Sequence, residues 1–438
     1  MSAEQGALTA HARRRQELLQ LLEPGSIAII PAAHERRRNR DVHYPFRQDS
    51  DFDYLTGFPE PDALAVLAPD REGGPYLLFV REKDPEREQW DGYRAGPQGA
   101  CREFGADAAW SIGELDEVLP ELLLRAERVY YALGNDAALD QRLIGWLREL
   151  REGARAGRRA PGALVALEPH LHEMRLYKDP AEQALMRRAG AWTAAAHAEA
   201  MAVCRPGQHE YELAAVFTAA FARHGGEHAY PPIVGGGPRG CILHYVRNDA
   251  PLVDGELVLI DAGMEYAGYA ADVTRTFPVN GRFSPAQQAV YEVVLAAQLA
   301  AIEAVRPGAH WNAPHEAAVQ VLSQGLIDLG ILTEALDDVV NRQLYRPYYM
   351  HRTGHWLGRD VHDVGSYRID EAWRELEPGM TLTVEPGLYL QQGPALDERW
   401  WNIGVRIEDD VLVTRRGAQV LTAEAPKTVA EVTAACRR

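Results

Sequence analysis

Asp261, Asp272, His355, Glu385 and Glu408 are the residues of this chain whose types and settings invite chemistry. Asp261 ends the apolar run 257–260, Glu385 ends 381–384 and Glu408 closes 405–407. A strand that finishes on a carboxylate sets a charge where its apolar neighbours would exclude one. Four carboxylates and one imidazole, with no thiolate, form a hard, oxygen-rich ligand set. Such a set suits two divalent ions, Mn²⁺ before Mg²⁺, better than a structural zinc. The chemistry it predicts is metal-assisted hydrolysis.

Spacing supports the same set. Asp261 and Asp272 flank a turn-bearing stretch, 264–269. A hairpin folded about Tyr266-Ala267 would oppose the two aspartates, with Cβ atoms about 4.5–5.5 Å apart. That is close enough to share an ion pair about 3.5–4 Å apart. Alone, the pair reads as ordinary hairpin acids, but opposed like charges destabilise a hairpin unless something positive lies between them. Arg406 and Glu408 are two apart on a strand and share a face, so the arginine can hold a ligating carboxylate. His351, His355 and His362 fall within one glycine-punctuated stretch, 351–363. Histidines so grouped are rare in a core. His244, within Ile242-Leu243-His244-Tyr245, carries a weaker signal.

The elements that must position these residues repeat. Asp179-Pro180-Ala181-Glu182 opens a helix with an N-cap, a first-turn proline and a capping glutamate. Arg205-Pro206-Gly207 is then followed by a helix over 210–224 and Gly225; Arg306-Pro307-Gly308 is followed by a helix over 314–329 and Gly330. Asp254-Gly255-Glu256 leads into the strand ending at Asp261, and Glu377-Pro378-Gly379 leads into the strand ending at Glu385. Each copy returns through a second acidic strand, around Asp272 and around Glu408. The pattern predicts a duplicated α-β half folded about a pseudo-two-fold axis on which the acids converge.

Ahead of it, apolar strands at 26–30, 63–67, 76–80 and 129–131 alternate with helices at 112–124 and 137–151. This predicts a separate α/β domain. The Arg- and Gly-rich segment 153–162 is expected to carry the chain to the second unit. Arg13-Arg14-Arg15 falls in a predicted helix over 10–22, and Arg36-Arg37-Arg38 with Arg40 in a loop; both read as solvated faces.

The 438 residues suffice for two domains. A net charge of −17 argues against a nucleic-acid partner. No stretch approaches the roughly 20 apolar residues of a membrane span, and residues 1–20 lack the apolar core of a signal segment. Cys101, Cys204, Cys241 and Cys436 show no paired spacing, so reduced thiols and a cytoplasmic location are expected.

The motifs Asp261-Ala262-Gly263, Asp272-Val273-Thr274-Arg275-Thr276-Phe277, His351-Arg352-Thr353-Gly354-His355, Val384-Glu385-Pro386-Gly387 and Arg406-Ile407-Glu408-Asp409 resemble the metallopeptidases of the pita-bread fold. Methionine aminopeptidase, prolidase, aminopeptidase P and the metal-free creatinase share that fold. Residues 44–52, Leu55-Thr56-Gly57-Phe58 and 172–178 look like bacterial aminopeptidase P. The resemblance covers nearly the whole chain. It implies an α/β two-domain protein, with an N-terminal α/β domain over 1–175 holding a mixed sheet and a pita-bread catalytic domain over 176–438.

It also implies roles. Asp261 would bind one metal, His355 and Glu385 the other, with Asp272 and Glu408 bridging. Glu385 would shuttle a proton, and His244, His351 and His362 would line the substrate site. Tyr389 and Arg406 match supporting positions, and Asp41 and Trp90 match residues supplied by the N-terminal domain or a neighbouring subunit. Trp90 stands among polar neighbours, which leaves either burial in its own domain or cover by a partner in a homotetramer. Where the family often carries a longer loop with an arginine that reaches the active site, Ser366-Tyr367-Arg368 is short, which leaves the equivalence of Arg368 open. The implied activity is that of a Xaa-Pro aminopeptidase on peptides with proline second. The alternatives are a prolidase and a peptide-binding module without catalysis.

Overall fold

The strand Ser26–Pro31 is central to the sheet of the first unit. It runs antiparallel to Leu64–Leu67 on one side and parallel to Arg128–Tyr130 on the other. Tyr76–Val80 and Ala108–Ser111 extend the first edge, and Ala163–Val165 closes the second. The sheet is therefore mixed and six-stranded. Leu119 and Leu123 of the helix Leu115–Leu123, with Leu143, Trp146 and Leu147 of Ala137–Glu152, cover Ile27, Val66, Leu77 and Phe79.

This computed structural model describes residues 3–437, in two units, Met1–His172 and Glu173–Arg438. None of its helices is long and apolar enough, among the described residues, to cross a membrane.

Two expectations for the first unit are corrected. The segment 153–162 does not lead to the second unit. It turns through Gly153–Ala156 and returns to the same sheet as Ala163–Val165, a strand too short to stand out in the sequence. Nor do all the arginines of 13–15 form a solvated face, because Arg14 and Arg15 are buried. Arg14 lies over the Tyr54 ring and donates to Tyr54 O (3.3 Å); Arg15 lies over the Tyr76 ring and donates to Leu55 O (2.8 Å). Their stems and planar heads pack on aromatic faces. The arginines at 36–38 and Arg40 are exposed, as expected.

The second unit is built twice over. Helices Pro180–Val203 and Glu210–Arg223 pair in the first copy, Pro285–Ala304 and Ala313–Asp328 in the second. Gly207 N donates to Leu252 O (2.8 Å), and Gly308 N donates to Leu376 O (2.9 Å). Both glycines have positive φ, 89° and 79°, so the turns after the first helices need that residue. Leu252 N then donates back to Gln208 O and Leu376 N to Ala309 O, both at 2.7 Å. Each copy continues into its acid-tipped strand, Leu257–Asp261 or Thr381–Val384. Phe217, Phe221, Val290, Val294 and Leu322 from the helices pack with Val258, Ile260, Val405 and Ile407 in one core.

The hairpin expected about Tyr266-Ala267 is shifted by one residue. Tyr266 pairs with Tyr269, leaving Ala267-Gly268 as the turn, with φ of 49° and 75°. This is the two-residue turn whose twist matches antiparallel strands, and Gly268 takes its second position. Asp261 consequently lies opposite Thr274, not Asp272. In the second copy Val384 lies opposite Asp409, so Glu385 and Glu408 adjoin at the end of that ladder. Thr274 thus occupies in the first copy the place that Glu408 occupies in the second.

Candidate metal centre

The two copies meet where Glu408 N donates to Thr274 O (3.1 Å) and Arg406 N to Thr276 Oγ1 (3.2 Å). This junction brings the acid tips together. One ligand atom each of Asp272, His355 and Glu408 lies within 4.8 Å of the others. His355 Nε2 is 3.4 Å from Asp272 Oδ2 and 3.6 Å from Glu385 Oε1. Asp261 joins the group through Tyr230, whose hydroxyl touches Asp261 Oδ1 (2.5 Å) and Asp272 Oδ1. The five expected ligands therefore converge even though the hairpin register differs.

The group fits cations. A phenol has one proton, so Tyr230 cannot donate to both aspartates at once. Asp272 and Glu408 are buried, and burial followed by the charges of neighbouring carboxylates raises both their pKa values. Burial also lifts Glu385, to about 7 against the pull of His355 and Arg406. Carboxylates held this close without enough positive charge prefer to keep protons. Divalent ions resolve the conflict.

Each donor is oriented from behind. His355 Nδ1 donates to Trp356 O (2.9 Å), which fixes the tautomer and leaves Nε2 facing the acids. Burial lowers its pKa, but the Asp272 contact and the Glu385 charge outweigh that and raise it to about 9. Thr274 Oγ1 donates to Glu408 Oε2 (2.6 Å). Arg406 donates to Asp261 Oδ2 (2.6 Å), to Thr274 Oγ1 (2.9 Å) and to Tyr389 O–H (3.1 Å). The carboxylate it holds is Asp261, across the junction, rather than its strand neighbour Glu408.

A deeper pair anchors the ladder. Arg275 is fully buried and donates to Asp409 Oδ1 (2.7 Å) and to Glu408 O (2.6 Å). Lys427 completes the neutralisation of Asp409 at 2.7 Å.

The acids floor a cavity of about 550 Å³ whose walls include His244, His351, His362, Trp311, Tyr367 and Trp373. His351 uses both ring nitrogens internally, donating from Nδ1 to Arg352 O (2.7 Å) and accepting at Nε2 from Tyr389 (2.8 Å). Burial, then the charge of Arg406, pulls its pKa to about 3. It is a neutral prop for Tyr389 rather than a free donor. His244 and His362 are exposed to the cavity. The His362 ring stands edge-on to His355, centroids 4.3 Å apart. Burial and the His355 charge lower its pKa.

Asp41 and Trp90 belong to the first unit, whereas every residue lining the cavity belongs to the second. Trp90 is 87% exposed, which rules out burial in its own domain. Arg368 covers the Trp373 ring at 4.0 Å and does not line the cavity.

Tyr230, Trp311, Arg352 and Trp373 escaped sequence reasoning. Nothing in their local spacing marks them, because the fold brings Tyr230, Trp311 and Arg352 in from loops and Trp373 from the two-residue strand Ala372–Trp373. Thr274 was readable, since it shares a strand face with Asp272.

A duplicated scaffold that gathers four acids and a histidine at one cavity has the architecture of a pita-bread metallopeptidase, and comparison agrees. Residues 184–415 match the model of metallopeptidase family M24, and residues 11–130 match the aminopeptidase P N-terminal domain. The chain belongs to metallopeptidase family M24. Within it, the chain is 45% identical to the Xaa-Pro aminopeptidase of Escherichia coli K12 over 96% of each chain. It is 33% identical to human Xaa-Pro aminopeptidase 3, over 97% of this chain and 85% of the other. Aminopeptidase PepP of Pseudomonas aeruginosa superposes with a TM-score of 0.97, 53% identity and 98% coverage of each chain. An E. coli aminopeptidase P variant in complex with substrate gives 0.95, 44% and 98% of each.

Proposed function

We propose that this chain is a Xaa-Pro aminopeptidase, hydrolysing the bond between an N-terminal residue and a following proline. The observation that carries the reading is the gathering of Asp261, Asp272, His355, Glu385 and Glu408 on one cavity edged by His244 and His362, with Asp272, His355 and Glu408 close enough to share an ion. Family membership over both units, with full-length relatives named for that activity, supports it.

Asp261, Asp272, His355, Glu385 and Glu408 would hold two divalent ions, which when bound would supply the Lewis acidity that activates water near neutral pH. His244 and His362 face the cavity, where either can donate to the oxygen that becomes negative as the carbonyl is attacked. Glu385, on the cavity floor, takes a proton from the attacking water and passes it to the proline nitrogen as the bond breaks. That proton matters because a proline amide nitrogen carries none of its own. Arg406 holds Asp261 in place through a 2.6 Å ion pair.

The oxygen-rich donor set favours manganese in both positions. Loss of activity on chelation and recovery with Mn²⁺ is the test of the metal. A cytoplasmic location is part of the proposal, resting on four cysteines that show no paired spacing in the sequence. Comparing a Xaa-Pro dipeptide with a longer Xaa-Pro peptide separates this activity from that of a prolidase. An aminopeptidase cleaves the longer one, and a preference for the dipeptide alone would overturn the assignment.

A further inference from the structure

The cavity contains two guanidinium groups with different commitments. Arg406 is buried and tied to Asp261 at 2.6 Å. Arg352 is exposed and, among the described residues, meets no carboxylate. It donates to Asn312 Oδ1 (2.5 Å) and lies 5.1 Å over the Trp373 ring. Asn312 in turn donates from Nδ2 to Glu316 Oε1 (2.7 Å), which sets its amide so that the oxygen faces the arginine. Arg352 is therefore held in place while most of its five N–H donors remain unengaged.

Its surroundings give it direction. The cavity is lined by the carboxylate cluster and also by a fixed cation, Arg352, which stands with Trp311 and Trp373. Arg368, on Trp373 at 4.0 Å, adds a second positive charge beside it. A cation there repels the ammonium of a peptide N-terminus and attracts a carboxylate. Arg352 is three residues from His355, at most about 10 Å of extended chain, so it is within reach of a short peptide seated at the acid cluster.

Resting on the aminopeptidase reading, we infer that Arg352 is a specificity-determining residue that binds a substrate carboxylate on the leaving side. In a tripeptide this is the α-carboxylate of the third residue. The carboxylate takes the guanidinium's free edge, and Asn312 and Trp373 keep that edge turned to the cavity. The enzyme accordingly prefers short peptides with a free C-terminus.

Steady-state cleavage of Ala-Pro-Gly, Ala-Pro-Gly-amide and Ala-Pro-Asp-amide tests this, with wild type, Arg352→Gln and Arg352→Lys. Wild type should favour the free acid over the glycine amide by on the order of 10-fold in kcat/KM, mostly through KM. Arg352→Gln should bring that ratio near one, and Arg352→Lys should retain part of it. Poor cleavage of the aspartyl amide assigns the contact to the α-carboxylate; cleavage equal to the free acid extends it to acidic side chains. A wild-type ratio near one, or a ratio untouched in Arg352→Gln, overturns the role of Arg352 and leaves the aminopeptidase reading standing. Failure of wild type on all three peptides removes that reading and this role together.

Discussion

His362 and Glu408 have separable duties, although both face the same cavity. Glu408 is buried, accepts from Thr274 and sits among the ligand atoms. Glu408→Ala should therefore lower metal content and activity together, as read by elemental analysis; unchanged stoichiometry would remove it from the ligand set. His362 stands outside the cluster, so His362→Ala should keep both metals while kcat falls by about 10²–10³-fold, the loss typical of one oxyanion donor. Loss of a metal equivalent would make it a ligand instead. The metal-free site also has a pH signature. Glu385 is raised to about 7 and His355 to about 9. A raised group stabilises the fold below its unfolded pKa and loses that contribution as pH rises through the folded value. From pH 7.5 to 9, where buried His351 is neutral folded or unfolded, the melting temperature of metal-free protein should fall. Metal-loaded protein, whose ligands are already deprotonated, should not follow. Parallel curves would contradict the assigned shifts. Asp261, Glu385 and Glu408 were legible as acids ending apolar runs, Asp272 by its spacing from Asp261, and His355 by its place among grouped histidines. Tyr230 was not, because what marks it is a contact with Asp261 and Asp272 made across the fold.

At the scale of elements, ligand placement depends on strands that other residues anchor. Arg275 ties Thr274 O, Glu408 O and Asp409 to the backbone of Ala425 and Pro426, with no exposure to solvent. Arg275→Met should destabilise by about 3–5 kcal/mol, the cost of leaving a buried partner uncompensated, measured by denaturant unfolding of the metal-free protein. A change under about 1 kcal/mol, ordinary for an exposed pair, would show that Lys427 alone suffices for Asp409. The repeat was readable here because Gly207 and Gly308 recur in turns that require positive φ. Register was not, since Tyr266-Ala267 and Ala267-Gly268 differ by one residue and only the twist of the hairpin selects between them. Arg14 and Arg15 misled for a related reason. Charge alone says solvent, and the Tyr54 and Tyr76 faces that receive them come from distant elements.

For the molecule as a whole, Trp90 at 87% exposure is the side chain most in need of cover, with Tyr93 close in sequence and also exposed. A homotetramer that buries this segment follows as a proposal. Sedimentation at micromolar concentration should give a species of four chains, and Trp90→Asp should shift it to smaller ones; a monomeric wild type would refute the assembly. Two units were legible from the change in pattern after residue 162. The last strand of the first was not, because Ala163–Val165 offers only three residues to read. The central claim is that two ions held by the five ligands remove one residue ahead of proline. Its most direct test is titration of metal-free protein with Mn²⁺ while mass spectrometry follows a Xaa-Pro peptide of about six residues. Activity should rise to a plateau at two equivalents per chain, releasing the N-terminal residue and nothing else. Cleavage without metal, or at an internal bond, would contradict it.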